Sequence, residues 1–311
     1  MGEVRSMTLG LAALLLAGLP FGAVTLHAQD DATQAAEPPT SARINLTITP
    51  KRLTFSRTTR SATVYVFNQG NAPATVDVLL VERVMLPDGE ILTLEAAAAE
   101  PATTAIADRL RSARGLVAAT PRRITLAPGR GQTVRLRVTP PANADAPEYR
   151  SHLTVSTVPP RAAGLAVEDA AAGRPGELSI RLNAVFGLSI PVIIRTGAPD
   201  VRADIRNLRL GQDMASADGT APPGRRAILS FDLARLGGNS LFGNVEVRSA
   251  SGGSEVLALV RGVGVYPEID SRTIRVPLRR VPAAGDVLEV RFVDDDLSPG
   301  RVVARASLAS S

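Results

Sequence analysis

The feature that most constrains this chain is the run LSIRLNAVFGLSIPVIIR, from Leu178 to Arg195. Ile180, Leu182, Ala184, Phe186, Leu188 and Ile190 fall on every second residue, and Ser179, Arg181, Asn183, Gly187 and Ser189 fill most of the gaps. Successive side chains of a strand point to opposite faces, so the spacing predicts a β-strand with one apolar face. Strands in globular domains usually run about 3–10 residues. This stripe is longer than a core of ordinary thickness needs, so part of it has to bury against something else.

Shorter runs of the same kind surround it. INLTITP, SATVYVFNQG, ATVDVLLVERVML, RRITLAP, QTVRLRVTP and SHLTVSTVPP each alternate and are bounded by Pro, Gly or Asn, which reads as strands closed by turns. About seven strands in this space fit an immunoglobulin-like sandwich. The stretch Pro101 to Leu116 has helical composition and reads as an insertion or loop helix. TGAPDVRA, Thr196 to Ala203, reads as a linker, and a second series follows: RRAILSFDL, FGNVEVRSA, EVLALVRGVGVY, RTIRVPL, VLEVRFV and VVARASL. The fold class is therefore all-β, with two immunoglobulin-like β-sandwich domains at 43–196 and 197–311. The chain has 311 residues, a length that fits about two domains.

At the N-terminus, Arg5 precedes the apolar run LGLAALLLAGLPFGAVTLHA, which ends in a small residue at Ala28. That is the layout of a secretory signal peptide over residues 1–28, and the interruptions at Pro20 and Gly22 favour it over a membrane anchor. The polar, Pro- and Ala-rich residues 29–42 read as a flexible lead-in. The mature chain is expected to be exported to the periplasm without membrane insertion.

No cysteine is present, which excludes thiol catalysis and thiolate metal sites. There are two histidines; His27 belongs to the leader, and His152 sits in a strand-like run as a packed structural imidazole. The net charge of +5 raises nucleic acid as a partner. Aromatics make up only 3%, tryptophan is absent and the arginines are scattered, so a solvated basic surface is the better account. PGRGQT, Pro128 to Thr133, lacks the lysine and the strand–loop–helix setting of a phosphate loop and reads as a β-turn. Asp294, Asp295 and Asp296 lack the spacing of a calcium loop and read as a solvated loop. No metal, no cofactor and no catalytic residues are expected.

Four segments in order resemble the periplasmic pilus-assembly chaperones of the PapD-like, chaperone–usher family. TPKRLTF, Thr49 to Phe55, resembles their first strand. ATPRRITLAPGRGQTVRL, Ala119 to Leu136, is similar to a two-strand segment of their first domain. EYRSHLTVSTVPP, Glu148 to Pro160, resembles their sixth strand, and the alternating run their seventh. The resemblance covers about Arg43 to Thr196, while the second domain matches by position and β character.

The resemblance implies an L-shaped pair of sandwiches. It implies a non-enzymatic chaperone that holds pilus or fimbrial subunits and delivers them to an outer-membrane usher. Its seventh strand would complete a subunit that lacks one, with Ile180, Leu182, Ala184, Phe186, Leu188 and Ile190 filling the subunit groove, a form of β-augmentation. Arg52, helped by Lys51, the only lysine, would grip the subunit's terminal carboxylate, a task suited to a bidentate guanidinium. Pro191 stands where the family usually has a lysine. Arg195 and Glu148 would form an ion pair that sets the domain orientation. The link Arg161 to Glu177 has no cysteines, which leaves the short-loop and long-loop subclasses open. The alternative is an exported β-sandwich module, binding or structural, associated with surface fibres and without a chaperone cycle.

Overall fold

The computed structural model describes residues 43–159, 185–213, 226–250 and 255–310. The expected signal peptide and lead-in, the link Arg161 to Glu177, and Ile180, Leu182 and Ala184 lie outside these residues. The first half contributes β1 (Leu46–Thr49), β2 (Leu53–Phe55), β3 (Ser61–Asn68), β4 (Ala74–Val81), β5 (Arg83–Met85) and β6 (Ile91–Thr93). Two short helices follow, α1 (Leu94–Ala99) and α2 (Pro101–Ala107), then β7 (Val117–Thr120), β8 (Arg123–Leu126), β9 (Gly131–Val138), β10 (Glu148–Thr157) and β11 (Gly187–Arg195). The second half consists of β12 (Ala203–Asp213), β13 (Arg226–Arg235), β14 (Leu241–Ser249), β15 (Val256–Val265), β16 (Ser271–Pro277), β17 (Val287–Asp294) and β18 (Val302–Ala309).

The architecture is all-β, as the alternation predicts, with two immunoglobulin-like sandwiches. The first packs the sheet β1-β3-β9-β7 against β2-β11-β10-β4-β8, and the second packs β12-β13-β16 against β15-β14-β17-β18. Alternate inward residues build each core: Val64, Val66, Val134, Leu136, Leu153 and Val155 in the first, Leu229, Phe231, Val245, Val247, Val290 and Phe292 in the second. Burial of such side chains drives folding at roughly 1.5–3 kcal/mol each.

The first strand changes sheets at Pro50: β1 pairs with β3, while β2 runs parallel to β11 in the opposite layer. Lys51 and Arg52 occupy the step between them.

Two local readings are corrected. Strand β12 falls largely on residues the sequence pattern leaves unassigned. Its register shifts between Arg206 and Arg209, and Asn207 takes φ 55°, so a bulge breaks the period that would mark it. The helical insertion begins earlier than Pro101. Thr93 caps α1 by accepting from the Ala96 amide, and Pro101 occupies the first turn of α2, where its missing N–H costs nothing. Ahead of the helices, β5 and β6 form a hairpin that reaches the second sandwich.

Candidate functional site

Strand β10 is buried on both faces. Tyr149, Leu153 and Val155 enter the first core, while Glu148, Arg150 and His152 alternate with them on the opposite face and are buried at the seam with the second sandwich. Register pairs Glu148 with Arg195 on β11, and the Arg195 Nε donates to Glu148 Oε2 at 3.3 Å. This pair lies within one sheet. It becomes a link across the seam because the same Glu148 oxygen accepts from the Ser240 amide at 3.1 Å and from Asn239 Nδ2 at 3.3 Å.

The acidic run supplies the rest. Asp294 is buried and accepts from the amides of Asp296, Leu297 and Ser298, which shapes the loop. Asp296 accepts from Arg195 Nη2 at 2.6 Å and from Arg52 Nη2 at 3.2 Å on one oxygen. The reading of this run as a solvated loop is therefore wrong for Asp294 and Asp296. A charge-assisted cap and a shared ion pair outweigh their hydration. Among the described residues no group of three or more His, Asp or Glu side chains is placed to hold a metal ion.

Arg52 is only 10% exposed at its side chain. It also donates to Ser240 Oγ at 3.1 Å and lies 4.7 Å from the Phe242 ring centre. A carboxylate of its own chain already occupies it, so the structure gives it a place in the seam. Lys51 next to it is exposed and has no hydrogen-bond or ion-pair partner among the described residues.

A second buried pair was not legible in the sequence. Arg150 donates to Glu268 and, at 2.7 Å, to the Arg83 carbonyl, and its guanidinium stacks 4.0 Å over Tyr266. Glu268 in turn accepts from the Met85 amide at 2.9 Å. His152 completes the row, with Nδ1 3.2 Å from Arg150 Nη1. Arginine has no acceptor, so Nδ1 accepts and the ring proton sits on Nε2. Burial, followed by the charges of Arg150 and Arg83, holds the imidazole neutral, with its pKa down at about 3.

The β5–β6 hairpin and the turn after α2 also link the two sandwiches. Arg109 pairs with Asp270 at 2.6 Å, the Thr273 amide donates to the Pro87 carbonyl at 2.7 Å, and Met85 and Ile193 join the second core.

On the other side of this seam, β11 changes character along its length. Val192 and Ile194 are in the first core, Ile190 is 3% exposed, Leu188 is half-buried, and Phe186 and Val185 just before the strand are 54% and 60% exposed. One edge of β11 pairs with β10 throughout. The other pairs with β2 only over Val192–Ile194, so among the described residues the backbone from Gly187 to Pro191 has no strand on that side. A cavity of about 200 Å³ opens there between Ile44, Leu46, Phe186 and Leu188. Among the described residues the apolar stripe thus serves the core at its Ile190–Ile194 end and is exposed at Val185 and Phe186.

No protein-family model matches the chain, and no curated protein matches it in sequence. Among solved structures it is similar to the YadV chaperone, with 14% identity and TM-score 0.41, over 85% of this chain and 99% of that one. It is also similar to the E. coli chaperone DraB, with 11% identity and TM-score 0.41, over 86% and 97%. A third is a chain of the Salmonella enterica SafA pilin–SafB chaperone complex, with 14% identity and TM-score 0.40, over 87% and 98%. No helix among the described residues is long and apolar enough to cross a membrane.

Proposed function

We propose that this protein is a periplasmic chaperone that holds incomplete immunoglobulin-like subunits of pili or fimbriae by lending them β11, and passes them to an outer-membrane usher. The observation that carries the reading is the apolar edge of β11 that has no strand partner among the described residues, where Leu188, Phe186 and Val185 emerge from the core beside a groove. An exposed edge of this kind is a template for another chain. Proteins normally blunt such an edge, and here its length and its apolar side chains are kept. Backbone hydrogen bonds along Gly187–Pro191 supply affinity, and the alternating side chains supply register. Ile180, Leu182 and Ala184 share the alternation in the sequence and lie outside the described residues.

Of the two cations read for a subunit's terminal carboxylate, Lys51 stands exposed where the free edge begins. Arg52 serves a subunit only by exchanging Asp296 for it. Glu148, Arg195, Arg150 and Glu268 hold the platform on which the edge is presented, and no catalytic role is assigned.

The experiment is capture of a co-expressed pilus subunit in the periplasm. Wild-type protein co-purifies with the subunit, and a Phe186→Glu, Leu188→Glu protein does not while remaining folded. Equal capture by both proteins would remove β11 from the site. Recovery of the protein in surface fibres instead of a soluble complex would favour a structural module.

A further inference from the structure

The sheet β1-β3-β9-β7 turns one face to the first core and the other to solvent. Val64 and Val66 of β3 and Val134, Leu136 and Val138 of β9 point inward. Their neighbours Thr63, Tyr65, Thr133, Arg135 and Arg137 therefore share the outer face. Register sets Arg135 between Thr63 and Thr120, and Arg137 between Ser61 and Ala118. The two guanidinium groups leave one strand two residues apart, a spacing of about 7 Å.

The charge on this face has one sign. None of the four strands contains Asp or Glu. Arg135 and Arg137 are exposed and make no side-chain hydrogen bond or ion pair among the described residues. Arg130, in the turn that opens β9, is exposed and likewise makes none. Asp77 belongs to the opposite sheet and is taken by Arg123. The second sandwich is built differently: on β14 and β17 Glu246 neutralises Arg248 and Glu289 neutralises Arg291. The absence of acids is thus a property of this face and not of the whole chain.

At one end of the row Tyr65 is 47% exposed and neighbours Phe67, with ring centres 6.1 Å apart. Tyr65 stands opposite Thr133 in the ladder, yet its phenol end sits where a side chain of Gly131 would be. The ring therefore leans across β9, and the glycine leaves room for that close approach. Its position is built into the sheet.

An aromatic plane, a row of Ser and Thr hydroxyls and two unneutralised guanidinium groups lie on one open surface. A membrane anchor projects apolar and aromatic side chains about 5–10 Å into the lipid, whereas this ring leans on its own sheet. A protein interface has an apolar or aromatic centre, whereas the centre here is hydroxyl and guanidinium. A sugar ring offers C–H groups to an aromatic plane and hydroxyls to Ser and Thr, and a carboxylate on it matches a guanidinium. We infer that this face binds an acidic polysaccharide, with one sugar ring on Tyr65 and the carboxylates of the following sugars on Arg135 and Arg137.

Calorimetric titration of the purified protein tests it with three probes: a hexamer of galacturonic acid, the neutral maltohexaose, and polyglutamate of equal charge. The uronate hexamer binds, and the other two bind at least about tenfold more weakly, one charge-assisted hydrogen bond being worth about a factor of ten or more. Arg135→Gln with Arg137→Gln weakens the hexamer by the same factor. Tyr65→Ala weakens it about threefold or more and leaves polyglutamate unchanged, which separates stacking on the ring from attraction to charge. Melting temperatures establish that both variants are folded. No binding of the hexamer, equal binding of hexamer and polyglutamate, or unchanged affinity in either folded variant would overturn the assignment. So would co-sedimentation with anionic phospholipid vesicles in place of uronate binding. Strand β11 lies in the opposite sheet, so subunit capture is a separate measurement and either reading can fail without the other.

Discussion

Arg195 and Asp296 meet at 2.6 Å across the seam, and the oxygen that joins them also takes Arg52 at 3.2 Å. With Glu148 on the far side of Arg195, two cations and two anions balance in a site from which water is largely excluded. Each partner is held by the others, so the arrangement fixes how the end of β11 and the sheet-switching step at Arg52 face the second sandwich.

Asp296→Ala is expected to leave the Arg52 guanidinium buried without a carboxylate and Arg195 with Glu148 alone. Removing one member of a buried ion pair costs about 3–5 kcal/mol, and the partial exposure of Asp296 puts this case at the lower end. Denaturant unfolding measures the loss. A variant within about 0.5 kcal/mol of wild type would show that water already carries these charges.

The pair Arg150 and Glu268 allows a cleaner separation. Glu268→Ala alone strands a buried cation and frees the Met85 amide, with an expected loss of about 3 kcal/mol or more. Replacing both by apolar residues removes the stranded charge along with the pair. Arg150→Met with Glu268→Leu is therefore expected to be more stable than Glu268→Ala alone. A double-mutant cycle by chemical denaturation checks this, and additive losses would mean the two charges do not depend on each other.

His152 sets a pH dependence with a definite sign. An imidazole in the unfolded chain takes up a proton below about 6.5, while the folded one, held at about 3, stays neutral. Between those values the unfolded state binds more protons, so stability present above pH 6.5 is lost as the pH falls, with a limiting slope of about 1.4 kcal/mol per pH unit. His152 is the one histidine among the described residues. His152→Gln is expected to flatten the stability profile between pH 6.5 and 5, above the main carboxylate range. An unchanged profile in thermal melts would show that the imidazole is accessible to protons in the fold.

What the sequence discloses follows from how each element is stabilised. Strands that bury one face carry their period in the residues, so both sandwiches are legible; β12 is not, because the bulge at Asn207 interrupts its period. Glu148 and Arg195 are legible through the family resemblance. Arg150, Glu268 and Asp296 are not, since an isolated charge reads as solvated and the partners that bury these lie more than one hundred residues away. Arg52 is placed between the domains by the resemblance, whereas its partners Ser240 and Asp296 come from the other sandwich and are not legible from the sequence.

The two ends of β11 make opposite predictions for the same kind of change. Ile190 is in the first core, so Ile190→Ala is expected to cost about 2–5 kcal/mol of stability. Phe186 lies outside the core and half of it meets solvent, so Phe186→Ala is expected to stay within about 0.5 kcal/mol of wild type. If the free edge is what a partner strand uses, the order reverses for capture. Phe186→Ala would lose subunit binding measurably at unchanged melting temperature, because its ring is available to be buried only in the complex. A Phe186→Ala protein that melts several degrees lower would place that ring in the protein's own fold, and the uncovered end of the stripe would then have no role left to explain.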